Sequence, residues 1–276
     1  MTVPSFAKTA IKTAVSVGAH LTGLSRVLAT RYRGCGMIFA LHSVVEDGAF
    51  YPDETLRCPA GQLERSLRWL RKQGVELVSL DDAVQRLSAA RTRPFAAFTF
   101  DDGYADNVVN AAPMLAEYGF GATCFVVSER IGSHNTWDAE QLGGRKPLMN
   151  ETQLKTWVDA GFEVGSHTCT HPDLTTLSPE AVMEELVSSR QALHRLIGAP
   201  ILTFCYPFGR LNADLVWYVE RAGYQLAVTT RRGRAASYDD ALTLPRLSVS
   251  GDKGVGNVLL KAATPYGDLH RLWRGE

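Results

Sequence analysis

The sequence predicts an α/β fold, a closed or nearly closed (β/α) barrel of about seven parallel strands with its functional groups at the strand C-terminal face. Three observations predict it. From Gly36 onward short apolar runs alternate with helical stretches, and connections of that length join parallel strands by right-handed crossovers. Seven or eight such units fit a chain of 276 residues, and barrels of this kind run to about 250 residues as one domain. The irregular polar clusters follow the apolar runs, where a barrel gathers its chemistry. An open doubly wound sheet is the alternative, but no GxGxxG or Walker sequence gives a nucleotide fold positive support.

The elements follow in order. "MIFALHSV" reads as a strand. "AGQLERSLRWLRKQG" carries Leu63, Leu67 and Leu70 at helical spacing, and Gly74 ends it. "VELVSL" is a strand, followed by the helix "DAVQRLSAA" with Asp81 as its expected cap. "FAAFTF" is a strand, "NVVNAAPMLAEYG" one helix stopped by Gly119, and "GATCFVV" the next strand. After the polar stretch 132–150 come the helix "ETQLKTWVDAG", the strand "FEVGS" and a long helix from Pro179 to about Gly198. "ILTFCY", "NADLVWYVERAG" and "YQLAVTT" read as strand, helix and strand; "LPRLSVS" is the last strand and "VGNVLLKAA" the last helix.

Composition excludes several classes. Lys plus Arg and Asp plus Glu both number 29, so no basic excess points to nucleic acid and no acidic tail to disorder. The five cysteines, Cys35, Cys58, Cys124, Cys169 and Cys205, form no CxxC pair and read as reduced, which favours a cytoplasmic setting over a disulfide framework. Residues 1–34 are basic and mildly amphipathic. They make a poor signal peptide and are too polar to span a bilayer. The expectation is a helical segment ahead of a catalytic domain at 35–276. That helix either packs on the fold or lies on a membrane surface, at the inner face, with Lys8, Lys12, Arg26, Arg31 and Arg33 toward headgroups.

Four polar clusters close predicted strands: His42, Asp101–Asp102, His167 with His171, and Tyr206–Gly209. Asp-Asp-Gly is good turn chemistry, and Asp106 or Asn107 could cap the next helix. A turn alone does not explain two carboxylates at a barrel mouth, where like charges need a shared proton or a cation. "HTCTH" offers two imidazoles four residues apart. Pro172 disfavours a helix there, and Thr168 follows His167, so this is not the helical HExxH of metalloproteases. Two imidazoles and one carboxylate leave a coordination position open, as catalytic metal sites do. One aspartate can then ligate while its neighbour takes a proton.

"TFDDGYADN", "HTCTHPDLTTLS" and "FCYPFG", in that order, resemble the polysaccharide deacetylases, the NodB-homology enzymes of carbohydrate esterase family 4. The resemblance covers roughly residues 36–250. It implies a distorted barrel that binds a divalent ion, usually zinc, and removes acetyl from N-acetylated sugars. It implies Asp102, His167 and His171 as ligands, Asp101 as general base, and the backbone N–H of Phe208 as oxyanion donor, with Tyr206, Phe208 and Gly209 lining the sugar groove. Many relatives carry their general acid in a late Leu-x-His motif. Here "FALHSVV" resembles the circularly permuted, exopolysaccharide-modifying branch, which points to His42 as the acid. The third motif lacks its usual arginine and has Cys205 near that position; Arg246 in "LPRLSV" could reach Asp101 from another side. Trp137, in the long stretch after a strand, could stack on a sugar ring. His20, His134, His194 and His270 read as structural or surface residues.

The expected function is thus metal-dependent de-N-acetylation of an N-acetylhexosamine polymer or lipid-linked sugar. The alternatives are a non-catalytic carbohydrate-binding relative with a vestigial site and a hydrolase of another carbon–nitrogen amide bond.

Overall fold

The computed structural model describes residues 35–49, 53, 55–87, 94–119, 121–140, 144–251, 258, 261 and 262. The expected N-terminal helix, His20, His270 and most of the expected last helix lie outside the described residues. Among the described residues no helix is long and apolar enough to cross a membrane.

The strands are β1 (Cys35–Leu41), β2 (Ser43–Val45), β3 (Arg57–Pro59), β4 (Glu76–Val78), β5 (Phe95–Phe100), β6 (Ala122–Val126), β7 (Glu163–Ser166), β8 (Thr203–Cys205), β9 (Leu226–Arg232), β10 (Ala235–Ala236) and β11 (Leu244–Ser248). The helices are α1 (Ala60–Lys72), α2 (Leu80–Leu87), α3 (Asp106–Asn110), α4 (Ala112–Tyr118), α5 (Glu151–Asp159), α6 (Pro179–Ile197) and α7 (Ala213–Arg221). Seven strands close a parallel barrel in the order β1-β11-β9-β8-β7-β6-β5, with β1 pairing β5 to complete the ring. The expected barrel is therefore present.

β4 is outside that ring. β1 occupies one edge of β5, while β4 pairs Phe95–Ala97 and β6 pairs Phe98–Phe100 on the other. Two short strands share one edge, which distorts the barrel. β10 adds an antiparallel flap to the start of β1.

Alternation along the strands sorts the interior from the outer layer. Ile38, Ala97, Phe125, Cys205, Val228 and Leu244 pack together inside the barrel, and Leu80, Ala83 and Leu87 of α2 join them. Their neighbours Phe39, Phe98, Cys124, Phe204, Ala227 and Leu247 face the helices instead. The interior is narrow: a Cβ on Gly165 would lie 2.5 Å from both the Phe125 ring and Thr203 Oγ1.

Local departures from the expected elements have simple causes. The expected single helix over 107–119 is two, α3 and α4, with Pro113 at the start of α4 where its missing N–H is tolerated. Ser79, not Asp81, caps α2: its Oγ accepts from the Asp82 N–H at 3.1 Å. Asp106 and Asn107 lie within α3 and do not cap it. No disulfide joins any two of the five cysteines.

The long loop 132–150 is anchored by bridges from Tyr104 to Leu148 and from His134 to Pro147. It ends in a capping box. Asn150 Oδ1 accepts from Gln153 N–H at 2.9 Å, and Gln153 Oε1 accepts from Asn150 N–H at 3.0 Å. Asn150→Ala removes one partner of this pair and is expected to cost about 1 kcal/mol, read as a lower urea midpoint with an unchanged slope.

Candidate active site at the barrel mouth

Period-two alternation carries the functional side chains to the mouth. Along β5 and beyond it, Phe95, Ala97, Thr99 and Asp101 fall on the inner face; along β1, Ile38, Ala40 and His42 do so. Gly165 leads to His167 in the same way, and Leu244 to Arg246. The strand order puts β1 between β5 and β11, so His42, Asp101 and Arg246 come from adjacent strands.

Arg246 grips Asp101 with both arms. Nη1 donates to Oδ1 and Nη2 to Oδ2, each at 2.7 Å. The guanidinium is itself fixed: Nε donates to the Thr229 carbonyl at 2.9 Å, Nη1 to Thr99 Oγ1 at 2.9 Å and Nη2 to Cys205 Sγ at 3.3 Å. Both side chains are buried. Burial alone would raise the Asp101 pKa, but the Arg246 charge and hydrogen bonds outweigh it and hold the carboxyl well below the usual range. The resemblance leads one to expect an arginine in the third motif; here the guanidinium on Asp101 is that of Arg246 from β11, which also touches Cys205.

Asp102, His167 and His171 form the second cluster. Asp102 Oδ1 lies 3.5 Å from His167 Nε2 and 3.4 Å from His171 Nε2. One ligand atom from each residue falls within 4.8 Å of the other two. The His167 Nδ1 must carry a proton, because it meets the Cys205 carbonyl at 2.7 Å and a carbonyl only accepts. With Nδ1 so committed, Nε2 is the nitrogen that faces the cluster, and the neutral form of the ring is the one that can ligate through it. His171 is held neutral by burial and by His167, its pKa pushed down to about 3. Its Nδ1 is buried without a hydrogen-bond partner. Burial opposes charge on His167, yet Cys205 and Asp102 prevail and raise its pKa well above the ordinary value. For Asp102, burial opposes ionisation, but His167 and His171 outweigh it and lower its pKa. An anionic oxygen and two imidazole nitrogens on one point suit a divalent cation, and the residues present fit one.

The backbone at this mouth is strained. Among the described residues, the non-glycine positions with positive φ are Asp102 (71°), Thr168 (70°), His171 (64°) and Phe208 (57°). All belong to the motifs identified in the sequence, and such conformations collect at functional sites.

These groups line a cavity of about 230 Å³ shared by His42, Asp101, Asp102, His167, His171 and, at its rim, Trp137 and Phe208. Trp137 stacks on His171 with ring centroids 4.4 Å apart, and Phe208 meets the same imidazole edge-on at 4.6 Å. Phe208 is the exposed member of the set, 47% accessible. Gly209 also lines the cavity, and a Cβ there would fall 1.9 Å from Thr230 Oγ1, so glycine lets the turn pack on β9. Tyr206 borders the cavity, but its hydroxyl donates to the Leu242 carbonyl at 3.0 Å, which commits the phenol tip to the fold. His134 is exposed, and the His194 Nδ1 pairs with the Ala199 carbonyl at 2.8 Å.

His42 Nε2 stands 3.9 Å from Asp101 Oδ2. Asn107 holds its segment: Nδ2 donates to the His42 carbonyl at 2.7 Å, and Oδ1 accepts from Val44 N–H at 3.1 Å. The sequence suggested only a helix cap for Asn107. Its actual role depends on His42, between β1 and β2, and Val44 of β2, both more than 60 positions away, a distance no local pattern reports. Asp138 is a second residue the sequence did not single out. It borders the cavity, with Tyr104 Oη 3.3 Å from its Oδ2 and Asn135 Nδ2 bonded to its Oδ1. Burial and the Asp102 charge raise its pKa.

A parallel barrel whose mouth joins a carboxylate–imidazole cluster to a second, ion-paired carboxylate is a barrel scaffold with a candidate catalytic mouth. Comparison with known proteins gives the family. Residues 88–227 match the model for polysaccharide deacetylase. The chain is 30% identical over 198 residues to YxkH of Bacillus subtilis (strain 168), a candidate polysaccharide deacetylase, covering 71% of this chain and 67% of that one. It is 21% identical over 198 residues to the poly-beta-1,6-N-acetyl-D-glucosamine N-deacetylase of Staphylococcus aureus, covering 69% and 67%. Among solved structures, the deacetylase PplD of Streptococcus pyogenes, in complex with acetate, matches with a TM-score of 0.70 at 23% identity over 83% of this chain and 98% of that one. IcaB from Ammonifex degensii matches with a TM-score of 0.69 at 22% identity over 84% and 99%. These two likenesses show the shared fold. The chain belongs to the polysaccharide deacetylase family.

Two outcomes follow from the site's construction. Asn107→Ala leaves the His42 carbonyl and Val44 N–H unpaired and is expected to cost about 1–3 kcal/mol by urea denaturation. Breaking the Asp101–Arg246 pair with Asp101→Asn leaves a buried guanidinium uncompensated, at a cost of about 3–5 kcal/mol at neutral pH. Because the folded-state pKa of Asp101 is depressed, its contribution is complete above the unfolded value and is lost as pH falls through the folded one. The stability gap between wild type and variant is therefore full at pH 7 and narrows progressively below about pH 4.

Proposed function

We propose that this chain removes the acetyl group from an N-acetylhexosamine unit of a polysaccharide or lipid-linked saccharide, with water as nucleophile. The observation that carries the reading is the division of two adjacent aspartates between two partners. Asp102 faces His167 and His171, and Asp101 faces Arg246.

Asp102, His167 and His171 would hold a divalent ion, zinc by expectation, which when bound supplies Lewis acidity toward a water and an acyl carbonyl. Asp101 accepts the proton released as that water attacks. Both its oxygens are pinned by Arg246, and each keeps a further lone pair. His42 delivers a proton to the leaving nitrogen, so the C–N bond breaks to give acetate and a free amine. The Phe208 N–H is assigned to the developing oxyanion, and the Trp137 and Phe208 rings to the sugar face. Arg246 touches Asp101 rather than the reacting atoms and acts as a positioning residue. The missing third-motif arginine, which favoured a vestigial site, loses its weight because Arg246 takes that place. The Staphylococcus aureus relative is named for poly-beta-1,6-N-acetyl-D-glucosamine, and a polymer of that class heads the substrates to try.

The test is acetate release from N-acetylated glycans and glycolipids. Wild type is expected to release acetate, to lose it with a chelator and to regain it with added zinc. Asp101→Asn is expected to fall by about 10²–10⁴-fold. Arg246→Ala is expected to slow turnover while retaining the metal. Chelator-insensitive release or full activity of Asp101→Asn overturns the mechanism, and metal loss from Arg246→Ala overturns the role given to that arginine.

A further inference from the structure

The loop between the two histidines poses a backbone problem. His167, Thr168, Cys169, Thr170 and His171 are buried or nearly so, and Thr168 and His171 both have positive φ. Buried N–H groups need acceptors, and beyond His167 a stretch with this conformation cannot supply them from a helix or a ladder. All five are accounted for. His167 N–H donates to the Val126 carbonyl at 2.9 Å, Thr168 N–H to Ser166 Oγ at 3.3 Å, and His171 N–H to Thr168 Oγ1 at 3.0 Å. The remaining two go to one side chain on another element. Glu185 Oε2 accepts from Cys169 N–H at 2.7 Å and from Thr170 N–H at 3.1 Å. Its Oε1 accepts from Thr170 Oγ1 at 2.7 Å.

The loop's carbonyls are held from the opposite side. Ser128 N–H donates to the Thr168 carbonyl and Glu129 N–H to the Cys169 carbonyl, each at 3.0 Å. The ligand loop is thus clamped between the turn after β6 and a single carboxylate on α6.

We infer that Glu185 is the positioning residue that sets the geometry of the His167–His171 pair, and so the affinity of this site for its divalent cation. The inference rests on the reading of Asp102, His167 and His171 as ligands. Without the carboxylate, two consecutive buried N–H groups lose their acceptors, and the loop must turn to find others. His171 moves with them, since Thr170 precedes it directly. A glutamine keeps one acceptor oxygen. Removing the Thr170 hydroxyl breaks one contact of three and leaves both N–H bonds in place.

The experiment measures zinc affinity of the full chain by competition with a chelating dye, with far-UV circular dichroism and thermal melting of the metal-free proteins alongside. Outer partners of metal ligands typically contribute about 10–100-fold in affinity. Glu185→Ala is expected to weaken zinc binding by that amount, with Glu185→Gln and Thr170→Ala weakened less. A merely structural role would lower the metal-free melting temperature and leave the affinity of the folded fraction unchanged; that result overturns the inference. Should Glu185→Ala fail to fold, the same comparison is decided by Glu185→Gln and Thr170→Ala. Unchanged affinity in both overturns the inference, while graded loss supports it. Wild type that binds no zinc, with His171→Ala indistinguishable from it, overturns the ligand reading itself and the inference with it.

Discussion

Two carboxylates in adjacent positions, both buried, cannot remain ionised without compensation, and the architecture of this barrel mouth follows from how that compensation is divided. Asp101 is neutralised by a guanidinium that reaches it from β11 through the barrel interior. Asp102, turned the other way by its positive φ, faces two imidazoles. Were both aspartates to face one partner, neither could work independently of the other. The left-handed backbone at Asp102 is what separates them, and it costs about 1–3 kcal/mol that the surrounding packing must cover.

The supports for this division come from remote parts of the chain. His42 and Arg246 both lie outside the residues 88–227 that match the family model, yet both touch or approach Asp101. They reach it because β1 closes the ring between β5 and β11. Closure of the barrel and completion of the site are therefore one event: a chain that failed to dock β1 would expose Asp101 on that side and lose His42 together with the Asn107 contacts that hold it.

The aromatic rim follows a similar economy. Trp137 and Phe208 enclose His171 from two directions, which keeps water from one side of the imidazole and leaves Phe208 partly exposed above the cavity. Under the proposed function, the rings that shield a candidate ligand would also present a face to a sugar, two purposes for the same surface.

Much of this was determined by the sequence alone. Alternating runs define the parallel barrel, because strand and helix periods are local properties. Asp101, Asp102, His167 and His171 stand out because their residue types and short spacings are local as well. Arg246 was reachable by asking which strand could replace a missing charge. What the tertiary structure decided are relations between distant segments. It excluded β4 from the ring, since β6 takes the rest of the edge β4 pairs with on β5. It set the bidentate geometry of Arg246, turned the Tyr206 hydroxyl toward Leu242, and gave Asn107 and Glu185 to backbone groups outside their own helices. A side chain that satisfies a remote N–H or carbonyl leaves no periodicity behind it, because its partner is fixed by packing rather than by spacing.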